Sequence, residues 1–296
     1  MAITRLDFLK ELRDYRLAQY RPPMFRTVFG PTMLGKVDDV VQTIEMYEVT
    51  PSGEIKFISG DQINGLPVTT FDGALATAKA VTGALAFMYS NEQLARYDRN
   101  KINWREVAGR ANFQIVEQYL DKTAFLGDTV RGLGGLASSS AVSLVTLGTK
   151  AATGVAWTSA THEEMVQDLI AMSVAVENNS YQYFQGTDIC LPSAAYDKGA
   201  ASVHTYSGKN VFQAAQERRP EIKNIFKVAH LTGAGSGSAN RGVCFCKSAE
   251  VATFNERAFR EEKIQEVALG GIVPETFRTT GTIIESTQGI VYADGF

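Results

Sequence analysis

Apolar residues recur every three or four positions in some stretches of the chain and alternate in others, so the sequence predicts long helices together with separate strands. Asn103-Trp104-Arg105-Glu106 has the form of a capping box, and it opens a predicted helix that runs to about Phe125 and stops before Gly127. At about 100° per residue, Trp104, Val107, Ala108, Ala111, Ile115 and Tyr119 form one apolar stripe. Phe113, Val116, Leu120 and Ala124 form another on the opposite side. A surface helix usually shows one stripe, so two predict burial on two faces, and a helix sandwiched within one core fits equally. Thr161 to Glu164 is another capping box, with Met165, Leu169, Met172 and Val176 on one face and an end at Asn178-Asn179. A strand-like stretch from Ala76 to Tyr89 leads into Ser90-Asn91-Glu92-Gln93, a third box that starts a short helix.

Shorter signals follow. A helix is expected near Val211 to Arg218, and strands near Ile189-Cys190-Leu191, Ile225 to Val228 and Val243 to Cys246. From Thr276 to Tyr292, strand-forming residues alternate around Gly281 and Gly289. No regular strand–helix–strand rhythm appears, which places the chain in the α+β class. Near the start, Leu6 to Tyr20 has helical spacing, while Pro22-Pro23 and Gly30-Pro31 break the rest into an extended arm. Such an arm has no core of its own, so it is expected to pack on a neighbouring molecule or to remain a disordered tail. Val41 to Val49 and Glu54 to Ile58 read as two strands joined by the turn Thr50-Pro51-Ser52-Gly53. Ile44 and Met46 point one way, and Val41, Tyr47 and Val49 the other. Mixed faces suit a hairpin lying against partners, and a hairpin inside a sheet of its own domain suits the pattern as well.

Composition narrows the function. The chain has 296 residues, enough for two lobes, with 45% in the hydrophobic set and 21% charged. Its 29 basic against 32 acidic residues, a net of −3, disfavour direct tight binding to nucleic acid, which calls for clustered Lys and Arg. A shell that merely surrounds DNA needs no such excess. Three cysteines, Cys190, Cys244 and Cys246, are too few and odd in number for a disulfide framework, which fits a reducing cytoplasm. The beginning of the chain has no apolar signal core, and the most apolar run, Ala80 to Tyr89, is roughly half a membrane span. A soluble protein, made in the cytoplasm and outside any membrane, is expected.

Candidate chemistry is sparse. The Gly-rich stretch from Gly233 to Gly242 lacks the Gly-Lys-Ser/Thr ending and the strand–loop–helix setting of a phosphate loop, and reads better as a flexible surface loop. Cys244 and Cys246, two apart on a strand, share a face, but zinc needs four ligands and no second cluster lies nearby. His230 and Cys190 would complete a set only through the fold. His162, His204 and His230 stand in no catalytic setting, and Glu163-Glu164 suits a helix amino-terminus, where the dipole favours acids. No catalytic, cofactor-binding or metal-ligating residue is assigned. A small soluble enzyme using the Cys244/Cys246 strand or the 233–242 loop is the alternative from another class.

In combination, several segments resemble the major capsid proteins of tailed bacteriophages, the Hong Kong ninety-seven type fold that encapsulin shells share. Tyr89-Ser90-Asn91-Glu92-Gln93-Leu94 is similar to that family's strand-to-helix junction, and Phe125-Leu126-Gly127-Asp128 with Gly132-Leu133-Gly134-Gly135-Leu136 to the exit from its spine helix. Trp157-Thr158 before the Thr161 cap, and Leu191-Pro192-Ser193, resemble landmarks of its axial lobe. Gly270-Gly271-Ile272-Val273-Pro274 and Gly289-Ile290-Val291-Tyr292-Ala293-Asp294-Gly295 resemble its closing strands. The likeness spans about Val37 to Phe296. Ala137-Ser138 stands where the family often has Leu-Asn, and no proline precedes the closing aromatic between Glu285 and Gln288, which bears on the subfamily.

The resemblance implies a structural protein and no enzyme or cofactor. It implies an N-terminal arm at 1–36, an extended hairpin loop at 37–70, and a peripheral domain with the spine helix at 71–136. An axial domain at 137–262 and closing strands at 263–296 complete it. It implies self-assembly into the pentamers and hexamers of an icosahedral shell around double-stranded DNA, with no sequence-specific binding and no membrane. An encapsulin-type compartment is the alternative within the same class. The place implied is the virion, after assembly in the host cytoplasm. Portal and decoration proteins are expected partners. With only about forty residues before the hairpin there is no room for a fused scaffolding segment, so a separate scaffold is expected too. Some relatives are cross-linked through a hairpin lysine; Lys56 lies on the hairpin, but no partner asparagine can be named and no cross-link is expected.

Overall fold

The computed structural model describes residues 23–38, 43–52, 70–93, 95, 104–148, 150 and 156–296. Helix α1 (Phe25–Met33) opens the described chain and runs into strand β1 (Leu34–Lys36). This overturns the extended arm expected here. Gly30 takes φ +59°, a kink that lets Pro31 follow where a straight helix would break. Phe25, Val28, Phe29 and Met33 are fully buried in the chain's own core, and Phe25 lies 5.2 Å from the Phe254 ring. The expected helix at Leu6–Tyr20 lies outside the described residues.

Strand β2 (Thr43–Ser52) pairs antiparallel with β3 (Thr70–Lys79) in a two-stranded ribbon, from Thr43↔Lys79 to Ser52↔Thr70. The turn expected at Thr50–Gly53 is therefore corrected: Thr50, Pro51 and Ser52 continue the strand, and Pro51 sits opposite Phe71. Proline is tolerated there because a two-stranded ribbon consists of edges. Glu54–Ile58, the partner strand expected from sequence, lies outside the described residues.

After Ala80 the same run continues as β4 (Val81–Ser90), which alternates half-buried and exposed positions as a one-sided sheet strand should. It pairs with β11 (Gly270–Ile284), which also carries β9 (Ala252–Glu261) and the short β10 (Gln265–Val267). Strand β1 joins parallel to β9. Helix α2 (Trp104–Leu126) packs on this sheet. Ser90 and Gln93 exchange the two bonds of a capping box at the end of β4.

A second five-stranded sheet has the order β5 (Ser143–Val145), β12 (Ile290–Asp294), β8 (Arg241–Phe245), β6 (Asp188–Leu191), β7 (Asn224–Lys227). Its central strands are buried along nearly their whole length beneath α3 (His162–Asn179) and its neighbours α4 (Ser193–Ala201) and α5 (Val211–Arg218). Helix α3 follows its sequence from cap to end. Thr161 and Glu164 make both capping-box bonds, and Met165, Leu169, Met172 and Val176 are fully buried.

Helix α2 ends where expected. Gly127 takes φ +72° and donates its N–H to Thr123 O at 2.8 Å, a left-handed helix stop that glycine adopts without strain. The chain then folds back, and the N–H groups of Leu136 and Ala137 donate to the carbonyls of Ala124 and Phe125. The two-stripe reading of α2 is corrected. Val116, Leu120 and Ala124 are buried, but Phe113 and Ile115 are each 46% exposed. The second flank is polar instead, with Asn112, Glu117 and Asp121 buried against partners from distant segments.

Candidate assembly surface

Three carboxylates organise the junction around α2. Asp121 Oδ1 accepts from the backbone N–H groups of Met24 and Phe25, both at 2.8 Å, and so caps α1 from across the chain. Its Oδ2 lies 3.1 Å from Nε2 of His230, whose ring stacks on Phe125. One turn earlier, Glu117 holds Arg26 through both carboxylate oxygens, at 2.7 and 3.1 Å, and Arg26 also reaches Glu256 of β9 at 2.5 Å. Glu117 and the other carboxylate raise the Arg26 pKa, while burial pushes the Glu256 carboxyl up against the lowering pull of Arg26. An acid every four residues on the flank of an apolar helix face was the available sequence signal for Glu117 and Asp121, and the sequence reading missed it.

The residues singled out for chemistry are placed as follows. Cys190 and Cys244 are fully buried and Cys246 half-buried, and burial raises all three thiol pKa values. His230 stands with Asp121 rather than with these thiols, and among the described residues no three His, Cys, Asp or Glu side chains form a metal-sized group. His162 and His204 pack edge to face at 5.3 Å. Glu164 serves the α3 cap, and Glu163 is paired with Arg218, which lowers its pKa to about 2. The 233–242 loop is tied down: Ser236 N–H donates to Asp294, Gly233 N–H to Asn240 Oδ1, and Gly235 N–H to Ala239 O. Asp294 in turn accepts from Arg241 at 2.7 and 2.9 Å, and Arg241 lies over the Tyr292 ring. These loop N–H groups are spent within the chain. Elsewhere, Lys150 and Trp157 both donate to the buried Asp168, the indole at 2.8 Å.

What the described surface offers is apolar area and a two-stranded ribbon. Met88, Val267 and Leu269 are all exposed at one end of the first sheet, where Asn91 N–H donates to Leu269 O. Tyr181, Tyr183 and Tyr206 stand out from the second lobe. The β2–β3 ribbon extends about 33 Å with no third strand among the described residues. An isolated two-stranded ribbon is marginally stable in water, so its geometry calls for a surface to lie on. No described helix is long and apolar enough to cross a membrane.

Comparison with known proteins points the same way. The family described as "Major capsid protein" matches residues 66–296. Among solved structures, the capsid of Myoviridae phage XM1 superposes with a TM-score of 0.76 at 12% identity, covering 93% of this chain and 92% of that one. A chain from Mycobacterium phage Bobi gives 0.62 at 14% identity, with all of both chains covered. The virus-like particle from Pyrococcus furiosus gives 0.56 at 11% identity, covering 97% and 99%. At such identities the likeness concerns the fold, which is the α+β capsid fold of tailed phages. Comparison with curated protein sequences finds no match.

Proposed function

As the chain belongs to the major capsid protein family, and is thus a structural shell protein, we propose that it builds the pentamers and hexamers of a closed icosahedral phage head around double-stranded DNA. The ribbon carries this reading. Among the described residues no third strand pairs with it, and a neighbouring subunit supplies a surface for it to lie on. Obligate interfaces bury on the order of 2,000–5,000 Å², and ribbons that overlap from subunit to subunit provide such areas in a repeated shell. The net charge of −3 suits a container that holds DNA without gripping it. A separate scaffold, a portal and decoration proteins complete the proposed partners, with assembly in the host cytoplasm.

Negative-stain microscopy and sedimentation of the purified protein test the proposal. Closed shells or capsomer rings are expected, alone or with a co-expressed scaffold. Monomers under both conditions would overturn it. Shells that contain a cargo protein instead of DNA during infection would move the reading to a nanocompartment.

A further inference from the structure

We infer that the turn from His204 to Lys209, between α4 and α5, is a proton-sensitive latch. It is closed while the His204 ring is neutral and opens when that ring takes up a second proton. The inference stands apart from the shell reading, because it concerns the subunit alone.

One side chain completes the turn. At its base, His204 N–H donates to Lys209 O and Gly208 N–H to His204 O, both at 2.9 Å, and Val203 bridges Asn210. At its apex the N–H groups of Tyr206 and Ser207 donate instead to His204 Nδ1, each at 3.3 Å. A ring nitrogen that accepts carries no proton, so the neutral ring holds its hydrogen on Nε2. A doubly protonated ring has N–H at both positions, and its Nδ1–H then faces two backbone N–H groups. Acid thus turns the two bonds that hold the apex into contacts between donors.

The second observation is what the ring packs on. His162 of α3 meets it edge to face, with ring centroids 5.3 Å apart. Both nitrogens of His162 are buried, and neither has a hydrogen-bond partner among the described residues. A positive charge there is unpaired, lies at a helix amino-terminus whose dipole opposes it, and repels a second charge on His204. The charged side chains of the flanking elements are engaged elsewhere. At the start of α3, Glu163 is held by Arg218 of α5, and Glu164 by the Thr161 cap. Lys209 of the turn pairs with Glu217 of α5, and Asp197 of α4 with Lys227. Lys198 of α4 is exposed and of like sign. Histidine is the side chain whose charge changes between about pH 5 and 8, so the latch responds to mild acid. Its opening withdraws Val203 and Tyr206, 55% and 95% exposed, from their fixed places on the second lobe.

The test is amide hydrogen exchange of the full-length chain at pH ~7.5 and pH ~5, read by mass spectrometry and corrected for intrinsic rates. Residues 203–209 are expected to lose roughly tenfold or more in protection at the lower pH. Residues 165–176 of α3 should stay protected, which separates opening of the latch from unfolding. His204→Asn places an accepting oxygen near the position of Nδ1 and takes up no proton. It should leave 203–209 equally protected at both pH values. Equal protection of the wild type at both, or an unchanged loss in His204→Asn, would overturn the latch. If the asparagine variant is open at both pH values, nitrogen-15 histidine spectra of the wild type decide. A neutral His204 with its proton on Nε2 supports the latch, and one with its proton on Nδ1 overturns it.

Discussion

The carboxylate of Asp121 caps the helix that begins at Phe25, accepting its N–H at 2.8 Å across 96 residues of sequence. The same oxygen takes the N–H of Met24, and its partner oxygen faces His230. One side chain thus joins the beginning of the described chain, the long helix and the turn after β7. Asp121→Ala should cost about 2–4 kcal/mol, since it removes a cap and leaves two backbone N–H groups unsatisfied. Urea unfolding measures the loss, and an unchanged midpoint would show that water replaces the cap.

Leu120→Asp and Ile115→Asp should part company. Leu120 is 3% exposed in the core, and a buried unpaired carboxylate there costs several kcal/mol, comparable with a domain's stability. Ile115 is half-exposed, so its aspartate stays hydrated and the subunit folds. Soluble yield and melting temperature separate the two, and equal behaviour of both would contradict the packing of α2.

Thiol labelling should be ordered by burial. Cys246 should react with an aromatic disulfide reagent in the native protein well before Cys190 and Cys244, which should react only on unfolding. Exchanging both Cys244 and Cys246 for Ser should leave assembly intact, with modest loss of stability. Stoichiometric zinc in the wild type, with unfolding on chelation, would contradict this.

The Glu163–Arg218 pair has a pH signature. Arg218 holds the Glu163 carboxyl down at about 2 from an ordinary 4.5. A depressed carboxylate stabilises the fold above its unfolded pKa and loses that contribution as pH falls through the folded value. Wild type should exceed Arg218→Ala by about 0.5 kcal/mol above pH ~5, the small size reflecting an exposed pair, and the two should converge toward pH ~2. A difference that persists at the acid end would assign the effect to packing.

Local chemistry determined much of the fold from the sequence alone. Thr161 and Glu164 start α3, Asn210 and Gln213 start α5, and Gly127 stops α2, because caps and left-handed glycines act within a few residues of themselves. The buried strands around Ile189 and Val243 were legible as short apolar runs. Strand β9 was not, because Asn255, Glu256 and Arg257 make it look exposed, although its polar side chains are met by Arg26 and Thr276 from elsewhere. Helix α4 escaped notice for a related reason: only Ala195 and Gly199 are buried in it, so its pattern is faint. Of the candidate assembly surface, the sequence determined a strand over Thr43–Val49 but neither its end nor its partner. Tertiary structure decided that β2 pairs with Thr70–Lys79, that α1 is a helix and that Ile115 faces a groove. Each depends on a group far along the chain: a partner strand, the Asp121 cap, the position of β4. Sequence periodicity reports which residues share a face, whereas what covers that face is settled only when distant segments compete for it.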